Sequence, residues 1–367
     1  MSRIPRPRDF KIVDLFAGPG GLDSGARDLK IESIGIEWDA NACETRRAEG
    51  LETVQKDVRD LGPEFFDDAN VLAGGPPCQT FTVAGSGAGR KALDQVRRFA
   101  QRLADRDRLE SLRTDLEALS DERTGLVLEP LRWALKAIDE GRPYDAVILE
   151  QVQAVLPVWQ EFGRILAVNG YQVAPPTVLH TEQYGVPQTR RRAILIARWE
   201  KSPIWGGVEP ELPKPTHNRY RKGAPREAGT EGAPWVTMGE ALEKYRHDEF
   251  VVVSNYGTGG DPKARGRRRS TEPSATVTGK ISRNRVVGVD GREQPRFSHN
   301  EAGMLQSFRD GYAWSGKDIA QQIGNAVPPR LGMHVIAAAL GLKRDLDRVL
   351  NRHEPGACQP RSEPEVE

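Results

Sequence analysis

Short apolar runs punctuate the first half of the chain, and each is followed by a stretch with helical spacing. Lys11–Phe16 (KIVDLF) is the first run, Ile31–Glu37 the second and Val71–Gly74 (VLAG) a later one. Asp145–Glu150 (DAVILE) and Ala193–Ala197 (AILIA) follow, with an apolar helical pattern near Val155–Val168 between them. Strands alternating with helices predict a doubly wound α/β sheet. Leu93, Val96, Phe99 and Leu103, then Leu109, Leu112, Leu116 and Leu119, repeat at spacings of three and four. They predict an amphipathic helical insertion over about residues 92–120, broken near Asp105–Asp107, with its charges in solvent.

The periodicity weakens near residue 200. Lys201–Gly260 is rich in proline and glycine, with Trp205, Tyr220 and Trp235 scattered through it. This predicts a loop-rich second domain, smaller than the first, over 201–279, beside the 1–200 sheet domain. A basic run of Lys263, Arg265, Arg267, Arg268 and Arg269 lies near its end. An apolar helical pattern returns at Ile319–Leu340, so residues 280–345 are expected to pack back onto the sheet. Residues 346–367, rich in proline and glutamate, read as a disordered tail. A chain of 367 residues has room for this division and for a substantial core.

Composition excludes several classes. The 53 basic and 52 acidic residues leave a formal charge of +1, so only a local cluster of charge would point to nucleic acid. Cys43, Cys78 and Cys358 are odd in number and far apart, which argues against a disulfide framework and for a reducing compartment. The basic start MSRIPRPRDF has no apolar run behind it, unlike a signal peptide. No stretch approaches the roughly 18 apolar residues of a spanning helix. The expectation is a soluble, cytoplasmic protein without membrane contact. The six histidines show no metal-ligand spacing, and no metal is expected.

The chemistry concentrates in GGPPCQTF, Gly74–Phe81. Proline fixes its own φ and pushes the preceding residue towards extended backbone. Cys78 therefore leaves the end of an apolar strand on a stiff mount, at the sheet edge where ligands bind in open α/β folds. That is a place for a nucleophile. Strand one runs into DLFAGPGGLDSG, Asp14–Gly25, whose Gly18, Gly20 and Gly21 let backbone pass close to a ligand. A dinucleotide fingerprint wants glycine where Asp23 stands, which counts against a nicotinamide enzyme. Strand two ends in Glu37 and Trp38: a carboxylate for a ribose diol and an indole to stack on adenine. Asp57, in KDVRDL, closes a third strand edge within reach of an adenine amino group.

Together these pieces look like the cofactor half of an S-adenosylmethionine-dependent methyltransferase. With GGPPCQTF the chain resembles the DNA cytosine-C5 methyltransferases of prokaryotic type, from about Lys11 to Leu340. The ordered motifs are the glycine turn, the Pro-Pro-Cys-Gln loop, DERTGLVLE (Asp121–Glu129), LEQV (Leu149–Val152), QTRRRAILIA (Gln188–Ala197), RSTEPSATVTGK (Arg269–Lys280) and QQIGNAVPPRLG (Gln321–Gly332). The resemblance implies a Rossmann-like catalytic sheet with a smaller target-recognition domain. It makes Cys78 the nucleophile at cytosine carbon 6 and Glu150 the acid that holds the ring at N3. Arg192 would orient base and carboxylate, and Arg190 would help the cysteine and a phosphate. Gln151 stands where the family has asparagine, and activity is expected to survive the exchange.

S-adenosylmethionine would be held by Phe16, Gly18, Pro19, Gly20, Gly21, Glu37, Trp38, Asp57, Val58, Pro77, Leu126, Asn325 and Ala326. Gln79, Thr82, Arg90, Lys91, Arg267, Arg268 and Arg269 would meet double-stranded DNA. The resemblance further implies a monomer on DNA, encoded by a prokaryote or phage, with a cognate restriction endonuclease as possible companion. Three alternatives stand beside this reading. An RNA cytosine methyltransferase of the same fold usually carries a Cys-Phe-Thr tripeptide in the small domain, and no cysteine occurs between 78 and 358. A non-catalytic DNA-binding relative would tend to lose the nucleophile or the glycine turn. A related enzyme with a modified sulfonium donor would use the same thiolate chemistry.

Overall fold

A computed structural model describes residues 4–77, 87–107, 114–115, 123–226, 232–254 and 266–352. The apolar runs pair into one sheet of seven strands. In spatial order these are β3 (Thr53–Gln55), β2 (Glu32–Glu37), β1 (Lys11–Leu15), β4 (Val71–Gly74), β5 (Ala146–Val152), β7 (Arg191–Trp199) and β6 (Tyr171–His180). Neighbours are parallel from β3 to β5, and β7 runs antiparallel to both β5 and β6.

Successive side chains of a strand face opposite sides, so each central strand feeds two cores. Ile12, Val71, Ala73 and Ile148 pack under α1 (Gly21–Asp28) and the helix at Pro329–Leu340. Val13, Leu72, Val147 and Leu149 pack against helices at Gly87–Ala104, Glu129–Asp139 and Leu156–Val168, through Val96, Trp133, Trp159 and Phe162. Coverage on both faces is why these strands read as unbroken apolar runs. In chain order we call the helices α1, α2 (Ala40–Ala48), α3 (Gly87–Ala104), α4 (Glu129–Asp139), α5 (Leu156–Val168), α6 (His299–Leu305), α7 (Ile319–Asn325), α8 (Pro329–Leu340) and α9 (Lys343–Arg352).

A second, antiparallel sheet orders as β11 (Glu293–Gln294), β10 (Arg285–Gly288), β8 (Phe250–Val253) and β9 (Arg267–Arg269). Its core gathers Phe250, Val252, Val286 and Phe297 with Leu305 of α6 and Ile323 of α7. Since β10 pairs with β8, this sheet extends past residue 279, where the sequence reading drew its boundary. Between Lys201 and Glu249 the described chain is almost all loop, with a single helical turn at Met238–Ala241.

Several expectations shift. β6 escaped the periodicity because Pro175 and Pro176 interrupt it; they sit at a register shift on an edge strand, where missing N–H groups are tolerated. The pattern over Ile319–Leu340 is two helices, because Pro328 and Pro329 break it and start α8. The tail expected from residue 346 is helical to Arg352, with Leu346, Val349 and Leu350 packed on the α8 side of the sheet. α3 ends at Ala104, near the expected break, and Arg106 follows in a turn with φ 59°. Leu109, Leu112, Leu116 and Leu119 lie outside the described residues.

Helix α8 buries His334, which is 1% exposed with its ring 5.2 Å from that of Tyr184. Burial, with Arg330 and His217 adding to it, pulls this imidazole down to about 3. In the unfolded chain it takes a proton near 6.5. The unfolded state therefore binds more protons between those values, and stability falls as pH drops through that window. We expect urea-unfolding free energy to decline from pH 6.5 to 4 and the decline to shrink in His334→Phe. An unchanged slope in that variant refutes the assignment.

Candidate active site

The strand order reverses between β1 and β4, and in such sheets ligands bind at the carboxyl ends beside that switch point. There the structure has a cleft of about 850 Å³. Its floor on one side is the turn after β1. Phe16 ends the strand with φ 61°, a left-handed conformation that costs a bulky residue on the order of 1–3 kcal/mol. Gly18 N–H then donates to Glu37 Oε2 at 2.8 Å, while Trp38 and Asp39 N–H donate to Oε1 at 2.8 and 2.7 Å. Burial pushes the Glu37 carboxyl up, although these three bonds favour its charge. Trp38 stands 65% exposed on the rim.

Phe16, Gly18, Glu37, Trp38, Asp57, Val58, Pro77, Leu126, Asn325 and Ala326 all line this cleft. Pro19, Gly20 and Gly21, expected among them, do not. The turn bends away because Tyr312 Oη donates to Pro19 O at 2.6 Å, and Gly21 packs so tightly that a Cβ would lie 2.0 Å from Val327 O. Asp57 lines the cleft with its carboxylate held in a fork by Arg59, Nε to Oδ1 at 3.0 Å and Nη2 to Oδ2 at 2.6 Å. Burial pushes that carboxyl up, and the Arg59 bonds bring it below the usual value. The sequence reading missed Asp14, Leu22, Lys56, Arg59 and Val327 as lining residues, each one to three positions from a residue it named.

The opposite wall is built by β5 and β7. Their register sets Glu150 against Ile194 and Val152 against Arg192, so Glu150 and Arg192 are diagonal neighbours on one face. Arg192 Nε lies 2.5 Å from Glu150 Oε1, with both side chains about nine-tenths buried. The contact is an ion pair that lacks hydrogen-bond alignment, which leaves Oε1 without a hydrogen-bond partner among the described residues. Gln151, 5% exposed, donates its amide N–H to the carbonyl of Pro76 and accepts from Val152 N–H at 2.5 Å. That bond ties β5 to the loop before Cys78.

Arg190 also lines the cleft, but its terminal nitrogens donate to Val277 O and Gly324 O, each at 2.9 Å. With these bonds Arg190 clamps two returning segments; its expected aid to the cysteine concerns a thiol outside the described residues. Cys78, Gln79 and Thr82 lie outside the described residues, as do the side chains of Arg90 and Lys91 in α3. Cys43 is fully buried, and burial raises its thiol to about 11, so it offers no nucleophile.

A second cleft of about 740 Å³ adjoins the first and shares Arg190 and Arg192 with it. Arg191, Arg219, Lys222 and Arg268 line it, with Tyr220 and the single acid Glu182. β9 alternates its arginines. Arg268 faces this groove with its guanidinium 4.4 Å from the Tyr220 ring centre, whereas Arg267 and Arg269 are exposed and line neither cleft. Arg191, Arg219 and Lys222 had been missed; they are dispersed in sequence and meet only through β7 and the 217–222 loop. Lys263 and Arg265 fall outside the described residues.

The family model for C-5 cytosine-specific DNA methylases matches residues 10–99 and 115–340. The chain belongs to that family. Its activity is S-adenosylmethionine-dependent methylation of cytosine carbon 5 in DNA. Curated relatives of this methylase include the Type II methyltransferase M.Sau96I of Staphylococcus aureus, 27% identical over 91% of this chain and 76% of that protein. Another is the Type II methyltransferase M.Eco47II of Escherichia coli, 26% identical over 94% and 81%. Solved structures share the fold. The methyltransferase Dnmt2 of S. pombe superposes with TM-score 0.55 at 14% identity, covering 91% of this chain and 99% of that one. EhMeth of Entamoeba histolytica gives 0.54 at 13%, covering 91% and 98%.

In this methylase Gln151 donates to the carbonyl of Pro76, a buried residue. Gln151→Leu should strand the Pro76 carbonyl in the interior and cost about 1–3 kcal/mol in urea unfolding. Gln151→Asn retains an amide and should lose less. Equal midpoints for native protein and Gln151→Leu would show that the bond contributes nothing.

Proposed function

We propose that the first cleft holds S-adenosylmethionine between Phe16 and Trp38, and that a cytosine flipped out of double-stranded DNA enters beside Glu150 and Arg192. The dimensions support this: clefts of about 300–1,000 Å³ suit a nucleoside-sized ligand. An exposed indole on the rim and a half-buried carboxylate on the floor suit adenine and ribose. Glu37 has three of its roughly four acceptor sites filled, which leaves one for a ribose hydroxyl. Asp57 can take an adenine amino group once Arg59 releases part of its fork. When bound, the cofactor supplies a methyl group on a positively charged sulfur.

The thiolate of Cys78 adds to carbon 6 of the base. Glu150, steadied by Arg192, donates a hydrogen bond or proton at N3, which makes carbon 6 electrophilic and stabilises the enamine that the addition forms, with carbon 5 as its nucleophilic carbon. Carbon 5 then takes the methyl group as its bond to sulfur breaks, leaving a neutral thioether; loss of the carbon 5 proton to a base, expulsion of the thiolate and return of any N3 proton to Glu150 regenerate the aromatic ring. Pro76 and Pro77 fix where this thiol starts, and Gln151 fixes Pro76. The basic groove of Arg191, Arg219, Lys222 and Arg268 suits the phosphates of a duplex, whose contacts supply affinity without sequence choice. One chain carries both clefts, so a monomer suffices on DNA. The naming of its relatives as Type II methyltransferases supports a role in a prokaryotic cytoplasm beside a cognate restriction endonuclease.

The observation that carries this reading is the Glu150–Arg192 pair, which opens onto the same cleft as Glu37 and Trp38. Mass spectrometry of nucleosides after incubation with DNA and S-adenosylmethionine should find 5-methylcytosine in DNA. Product in RNA alone, or binding without transfer, overturns it. Cys78→Ser should abolish a denaturation-resistant adduct with DNA containing 5-fluorocytosine. Glu150→Gln should lower kcat by about 10²–10⁴-fold, the range for a positioned acid.

A further inference from the structure

Asp23 stands where a dinucleotide-binding turn has glycine, and no methyl-transfer step uses it. Its side chain is completely buried and lies 2.6 Å from Nη1 of Arg46, which is completely buried as well. A buried pair of this kind often stabilises no more than apolar residues of the same volume. Here, however, the surroundings are built to receive it. Ser33 Oγ donates to Asp23 Oδ1 at 2.8 Å. Arg46 Nε donates to Thr53 Oγ1 at 2.9 Å and Nη2 to Glu52 O at 3.0 Å. A Cβ on Gly35 would lie 1.9 Å from Nη2, so β2 is left without a side chain where the guanidinium passes.

We infer that Asp23 and Arg46 are positioning residues that set the cofactor-facing turn Phe16–Gly21. This rests on assigning the Phe16–Trp38 end of the cleft to S-adenosylmethionine. Neither side chain lines the cleft, so any effect on the cofactor passes through the backbone between them. Arg46 Nη1 is 3.5 Å from the carbonyl of Ala17, at one end of the turn, and 2.6 Å from Asp23 in the first turn of α1, at the other. Between them Gly18 N–H is aimed at Glu37. Tyr312 Oη, beside the same guanidinium at Gly20, fixes the carbonyl of Pro19. The turn is thus held jointly by the ion pair and by Tyr312. The charge of this guanidinium also favours the ionised forms of Asp14 and Glu37, although burial raises both carboxyls.

The test separates positioning from mere stability. Asp23→Leu with Arg46→Met replaces the pair by apolar side chains of similar volume and should stay folded. Calorimetry with S-adenosylhomocysteine should show Kd about tenfold or more weaker than for native protein, since the turn must be ordered at binding. KM for S-adenosylmethionine should rise while kcat stays near native, and amides of residues 16–22 should exchange faster with deuterium. Asp23→Asn, which keeps the shape, should move the same quantities less. Kd within twofold of native in either folded variant overturns the inference, and so does failure of both variants to fold, which makes the pair a fold requirement. If native protein itself does not bind S-adenosylhomocysteine, it is the cofactor assignment that fails.

Discussion

The direction of β7 decides what this protein can do. An arginine on a seventh parallel strand would be carried to the wrong end of the sheet. Because β7 runs back against β5, Arg192 arrives beside Glu150 at the mouth of the cleft. Two charges about nine-tenths out of water are costly unless they face one another, and losing one partner strands the other. The pair is therefore a commitment of the fold. β5 must present its carboxylate next to the chain reversal, and the edge strand β6 must hold β7 in register.

Buried polar contacts also join the middle of the chain to residues 277–326. Gln188 donates to Leu305 O at 3.1 Å and its Oε1 accepts from Val277 N–H at 2.9 Å. Gln306 donates to Ile323 O at 2.7 Å, and Arg190 holds the carbonyls of Val277 and Gly324. These donors satisfy backbone groups at the breaks between elements, where no ladder can serve them. The second sheet is consequently fastened to the first through the motif that supplies Arg192. The basic groove and the first cleft therefore share a wall at that junction.

Much of this was legible in the chain. β1, β4, β5 and β7 are apolar because both faces are covered, and Glu37, Trp38, Glu150 and Arg192 sit at strand ends where the motifs placed them. The order of those motifs also sufficed to identify the family. What stayed hidden depends on contacts distant in sequence. Three consecutive arginines do not look like a strand, yet β9 is one because β8 offers it an edge. Pro19 reads as part of a ligand loop until Tyr312, nearly 300 residues later, claims its carbonyl. Arg59 is two positions from Asp57, and only the folded geometry reveals the fork between them.

The clamp by Arg190 has a consequence for synthesis. A chain emerging from its amino end completes β1 to β5 early, as domains generally form in that order. It gains Arg190 and Arg192 with β7, but the Gly324 and Ala326 carbonyls that receive Arg190 come far later. A nascent or truncated chain ending before those residues can own every acid and arginine of the cleft and still lack the groups that fix their frame. Competence is thus gained only once residues 324–326 have been made, and that segment is the part that completes the site.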